Sequence, residues 1–145
     1  MIDINKEIKA AMLAKDSVRL ASLRAIKTAF MMAETEKGAG NLTAEGQLKI
    51  IQKQVKQRKD AAAIYKEQGR ADLVGDEMAQ ADILESFLPK QMSEEEIENV
   101  VKGIIADIGA SSMADMGRVM GVASKQLSGQ ADGKVIAAKV RQLLA

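Results

Sequence analysis

Apolar residues recur along this chain at helical spacing, three and four apart, and almost nowhere alternate as a strand would require. The first helix is predicted over about Ile4–Lys15, and a second begins near Asp16 with Leu23, Ile26, Phe30 and Ala33 on one stripe. The turn signal Lys37-Gly38-Ala39-Gly40-Asn41 ends it. A long third helix follows the cap candidate Thr43 and runs to Gly69, carrying Leu48, Ile51, Val55, Ala62 and Tyr65 on one face. The fourth spans about Asp72–Leu88 and stops at Pro89. Two long helices joined by a short glycine-containing turn predict a helical hairpin.

Pro89-Lys90-Gln91 marks the expected boundary, giving an N-terminal subdomain over residues 1–90 and a C-terminal cluster of short helices over 91–145. Ser93 and Glu96 have the spacing of a capping box and open a fifth helix reaching about Ile108. Ser112 and Asp115 repeat that spacing before a sixth, which ends near Leu127. After the turn Ser128–Ala131, Asp132 can cap a last helix over Gly133–Leu144. The expected fold is all-α.

Composition reinforces this. Of 145 residues, 47% are apolar but only 2% aromatic, so Ala, Leu, Ile, Val and Met must fill the cores. The nine methionines are expected as adaptable core filler. No cysteine or histidine is present, which removes the thiol nucleophile, the commonest general base and the usual metal ligand. No metal site, cofactor or catalytic residue is expected. The N-terminus is charged at once and no apolar run reaches spanning length, so a cytoplasmic protein without a membrane partner is expected.

The net charge of +1 is not that of a polycation, yet charge is segregated. Lys49, Lys53, Lys56, Arg58 and Lys59 fall in a stretch without acid, and residues 91–108 hold five acids against Lys102. Arg118, Lys125, Lys134, Lys139 and Arg141 outnumber Asp115 and Asp132 in the last 37 residues, 109–145. Arg58 falls within an apolar stripe, as does Arg19. Each predicts either an inter-helix ion pair, with an acid such as Asp82 or Glu85, or a basic recess for a ligand or partner.

Two stretches resemble the GatB/YqeY family. One runs Lys56-Gln57-Arg58-Lys59-Asp60, Tyr65, Gly69-Arg70-Ala71-Asp72-Leu73, Glu77 and Phe87-Leu88-Pro89-Lys90-Gln91. The other is Gly109-Ala110-Ser111-Ser112, Asp115-Met116-Gly117-Arg118-Val119-Met120-Gly121 and Gly129-Gln130-Ala131-Asp132-Gly133-Lys134. The family's members are similar to the C-terminal helical and tail region of GatB, a subunit of the tRNA-dependent amidotransferase. The resemblance therefore implies tRNA as a partner, with amidotransferase or translation-related proteins as others. It implies no catalytic centre, because the amidotransferase's ATP cradle precedes this region.

The residues leave several readings open. Ser111-Ser112 lacks a base to activate it and reads as a helix cap. Gly129–Lys134 has the wrong spacing for a phosphate loop. The N-terminal amides at Gly133, beside Lys134, still offer a place for an RNA phosphate. On the sixth helix Arg118 and Lys125 point away from the apolar stripe, close to Gly117 and Gly121. Those glycines predict either a flat face that a nucleic-acid backbone approaches or close helix packing within the tail. Lys134 and Arg141 share the outer face of the last helix. Without aromatic stacking residues, such a patch would grip backbone rather than bases. The alternatives to a tRNA-associated module are an accessory part in glutamine-dependent carbon–nitrogen ligation, dependent on other subunits, and a helical protein–protein adaptor.

Overall fold

Side-chain caps set most of the helix starts. In the computed structural model, which describes residues 1–36, 38 and 40–145, the order is α1 (Ile4–Leu13), α2 (Ser17–Thr35), α3 (Ala44–Glu67), α4 (Ala71–Glu85), α5 (Glu94–Ile108), α6 (Met116–Gln126) and α7 (Gly133–Leu144). A 3-10 turn over Met113–Asp115 leads into α6, and no strand occurs among the described residues. The all-α expectation therefore holds. Asp3, Asp16, Thr43, Ser93 and Asp132 each accept a backbone amide of the first turn that follows. The Ser93–Glu96 capping box is complete in both directions, at 3.1 and 3.3 Å. Of the turn expected over Lys37–Asn41, Gly38 and Gly40 are left-handed, and Lys37 and Ala39 lie outside the described residues.

The chain forms two compact units, Met1–Leu88 and Pro89–Ala145. In the first, Ile26 and Phe30 of α2, Ile51 and Val55 of α3 and Leu84 of α4 make a buried cluster. Ile2, Leu42, Phe87 and Leu88 pack partly against it. The buried Gln47 accepts the Ile2 amide at 3.0 Å, so the N-terminus is tied to α3 by a polar residue within its inward face. Helix α1 ends at Leu13 rather than Lys15. The amides of Lys15 and Asp16 close back onto the carbonyls of Met12 and Ala11, with Lys15 left-handed at φ 54°. Gly69 ends α3 in the same way, its amide and that of Arg70 reaching Lys66 and Tyr65.

In the second unit, Ile97, Val101 and Ile104 of α5 meet Val119 and Ala123 of α6 and Ile136, Val140 and Leu144 of α7. Gln91 belongs to this unit: its side-chain amide donates to the carbonyls of Pro89 and Gly129, while the Met92 amide donates to Gln130. The methionines are not uniformly core filler. Met116 and Met120 pack partly on this core, but Met12, Met31, Met32 and Met113 are exposed.

Candidate nucleic-acid interface

Helix α6 owes its position to the turn before it. Gly109, left-handed at φ 68°, closes α5 by sending its amide to Ala106 and that of Ala110 to Ile105. Ser112 Oγ then accepts the Ala114 amide at 3.3 Å, and the Asp115 carboxylate accepts the Ser111 amide at 3.0 Å. This is a capping arrangement shifted by one residue from the box that the spacing predicts. The Ser111 amide, joined by that of Ser112 and the nearby Arg118 charge, holds the Asp115 carboxyl below its ordinary range. Arg118 donates to Asp115 at 3.3 Å and to the Ile108 carbonyl at 2.8 Å, covering an open end of α5. Ser112 thus has a capping partner in place.

Val119, Ala123 and Leu127 face the core, which turns Gly117, Arg118, Gly121, Val122, Lys125 and Gln126 outward. These six residues line one shallow, open depression. A Cβ added at Gly117 or Gly121 would meet nothing within 4 Å, so no neighbour among the described residues requires glycine at either position. The reading of these glycines as close helix packing within the tail therefore fails. Arg118 and Lys125 lie seven residues apart, two turns along one stripe, or about 10.5 Å.

Lys134 and Arg141 repeat that spacing on α7 and are exposed, but neither lines the depression. At the start of α7 the Asp132 carboxylate takes the Lys134 amide at 2.9 Å. A carboxylate thus stands where a phosphate at Gly133 would have to sit, which makes the backbone there a poorer anion cradle than the sequence suggests. Gly133 itself faces open space. Lys139 turns toward α5, its ammonium 3.8 Å from Glu94. Lys125, Lys134 and Arg141 make no ion pair among the described residues.

The first unit treats its two inward arginines differently. Arg19 bonds Glu7 at 3.2 Å and lies over the Phe87 ring, 5.2 Å from its centre. Arg58 pairs with Glu77 at 3.3 Å, not with Asp82 or Glu85, and Lys59 takes Glu85 instead. Arg58 is about four-fifths buried and its Nε has no partner among the described residues. Both arginines are thus neutralised within the unit. Lys49 bonds Glu45 one turn earlier on the same helix, and Lys56 also has a partner. No group of three or more acids among the described residues is placed to hold a metal ion. No described helix is long and apolar enough to cross a membrane.

These features define an all-α chain of two helical units, whose second unit carries an open, glycine-floored face between two cations. The family model described as Yqey-like protein matches residues 2–144, and the chain belongs to that family. It is similar to the protein named "Altered inheritance of mitochondria protein 41, mitochondrial" in several fungi. The Pyrenophora tritici-repentis relative is 28% identical over 145 residues, covering 97% of this chain and 78% of its own. That of Kluyveromyces lactis is 28% identical over 141 residues (95% and 72%), and that of Clavispora lusitaniae 29% over 125 (84% and 70%). The cytoplasmic expectation is corrected by these relatives, all named as mitochondrial proteins. It rested on the charged N-terminus and the missing apolar run, and neither of those distinguishes one aqueous compartment from another.

Proposed function

We propose that this chain is a non-catalytic module that associates with tRNA, gripping the phosphate backbone with the outer faces of α6 and α7. The observation that carries the reading is the face at Gly117 and Gly121. Gly121, inside α6, costs about 1 kcal/mol relative to alanine and Gly117, in its first turn, costs less, and among the described residues nothing packs against either one. A face kept bare at that cost, with Arg118 and Lys125 beside it, suits the close approach of a negatively charged backbone. The family resemblance to the tRNA-contacting tail of an amidotransferase subunit supports the same partner.

The cations divide in role. Arg118 is already held by Asp115 and the Ile108 carbonyl, so it presents a fixed, partly neutralised charge. Lys125, Lys134 and Arg141 are exposed and supply most of the attraction. Filter binding of total tRNA at low salt tests this. Lys125→Gln, Lys134→Gln and Arg141→Gln should each weaken binding without lowering the melting temperature, and Arg118→Gln should lower both. Unchanged affinity in the triple variant would refute the assignment.

A further inference from the structure

Six of the ten large hydrophobic residues that stand exposed among the described residues lie within the first 32 positions. Two of them, Met12 (55% exposed) and Leu13 (77%), end α1 at a corner where residues 12–18 are all exposed. Lys9 and Lys6 sit one and two turns back on the same outward face, opposite the buried Ala11. Lys15 forms the corner itself. None of these three lysines makes an ion pair among the described residues. The nearest acids are engaged: Glu7 with Arg19, Asp16 with the Arg19 amide, Asp3 with the Lys6 amide.

We propose that this corner docks on an anionic lipid surface, Met12 and Leu13 entering the headgroup region while Lys6, Lys9 and Lys15 meet its phosphates. Three observations select that occupant. The corner is exposed throughout residues 12–18, and an apolar tip of two side chains is far smaller than the roughly 800 Å² per partner that a stable protein interface buries. A bilayer closes around a small protrusion without needing a matching shape. Lys6, Lys9 and Lys15 outnumber the exposed acids beside them, Asp3 and Asp16, whose carboxylates are turned to backbone amides, and an anionic leaflet complements that excess of positive charge. Finally, Lys15 holds a left-handed backbone that Gly38, Gly40, Gly69, Gly109 and Gly129 fill elsewhere among the described residues. A lysine kept where glycine is the easier residue points to use of its side chain. Resting on a surface needs no spanning helix, so the proposal agrees with the lack of one among the described residues. It is independent of the RNA reading, which uses the other unit.

Flotation of the full chain with phosphatidylcholine vesicles, with and without phosphatidylglycerol, tests it. Binding is expected only to the vesicles containing phosphatidylglycerol and should fall as salt rises. Lys9→Gln and Lys15→Gly should each lower it about fivefold, and Leu13→Gln should lower it as well. Lys15→Gly should at the same time raise the melting temperature, which separates lost binding from lost fold. Lys66→Gln, at an exposed site on α3, should change nothing. The proposal is overturned by no binding at low salt, by equal binding to both kinds of vesicle, or by binding that survives these substitutions. It is also overturned if Lys9 and Lys15 serve tRNA binding while vesicles are ignored.

Discussion

Lys15 stands at φ 54°, where an L side chain crowds its own backbone and glycine does not. Lys15→Gly should therefore stabilise the protein by up to about 1 kcal/mol, seen as a higher urea midpoint with unchanged slope. The Arg58–Glu77 pair predicts the opposite kind of change. Both side chains are about four-fifths buried, so Glu77→Gln strands a charge and should cost about 1–3 kcal/mol, less than for a fully buried pair because some water remains. The double variant Arg58→Met/Glu77→Leu should recover most of that loss. Asp115 carries a pH signature. Its folded carboxyl titrates below the unfolded one, so its contribution is present above about pH 4 and is lost as pH falls through the folded value. Asp115→Asn should therefore flatten the fall in melting temperature on acidification.

At the scale of elements, α6 offers the sharpest stability prediction. Gly121→Ala removes a helix-interior glycine without meeting a neighbour and should stabilise by about 1 kcal/mol, and Gly117→Ala, in the first turn of α6, should stabilise by less. On our reading both should also weaken tRNA binding. Stabilisation with full binding would show that the bare face is not approached. The helices were legible in the sequence wherever local chemistry decides them. Ser93 with Glu96, Thr43 and Asp132 cap where their spacing predicts, and the apolar stripes of α2 and α3 fall inward at Ile26, Phe30, Ile51 and Val55. What depends on neighbours was not legible. Gln47 is buried because the N-terminus comes to it, Arg58 finds Glu77 because helix register sets its partner, and Met31 and Met32 are exposed although their residue type suits a core. The candidate site was partly legible. Periodicity placed Gly117, Arg118, Gly121 and Lys125 on one face, but the tether of Arg118 to Asp115 and Ile108 requires the fold.

For the whole molecule, we propose that the two units, Met1–Leu88 and Pro89–Ala145, are separately folded domains. Trypsin should then cleave first at Lys90 and leave two resistant fragments, whereas a ladder of cuts within the helices would contradict the proposal. Net charge of +1 gives the chain little long-range attraction for nucleic acid, so the proposed binding rests on a local patch and is expected to be weak at physiological salt. The most direct test is a titration of tRNA binding at several salt concentrations, starting low, for the intact chain and for Arg118→Gln/Lys125→Gln/Lys134→Gln/Arg141→Gln. Removing a cation that neutralises one phosphate should reduce the slope of log affinity against log salt by roughly one. A flattened slope in that variant, with the Lys49→Gln/Lys53→Gln/Lys56→Gln protein keeping more of both slope and affinity, is the predicted result. No tRNA binding by the intact chain at low salt, or binding that follows Lys49, Lys53 and Lys56 instead, would contradict it.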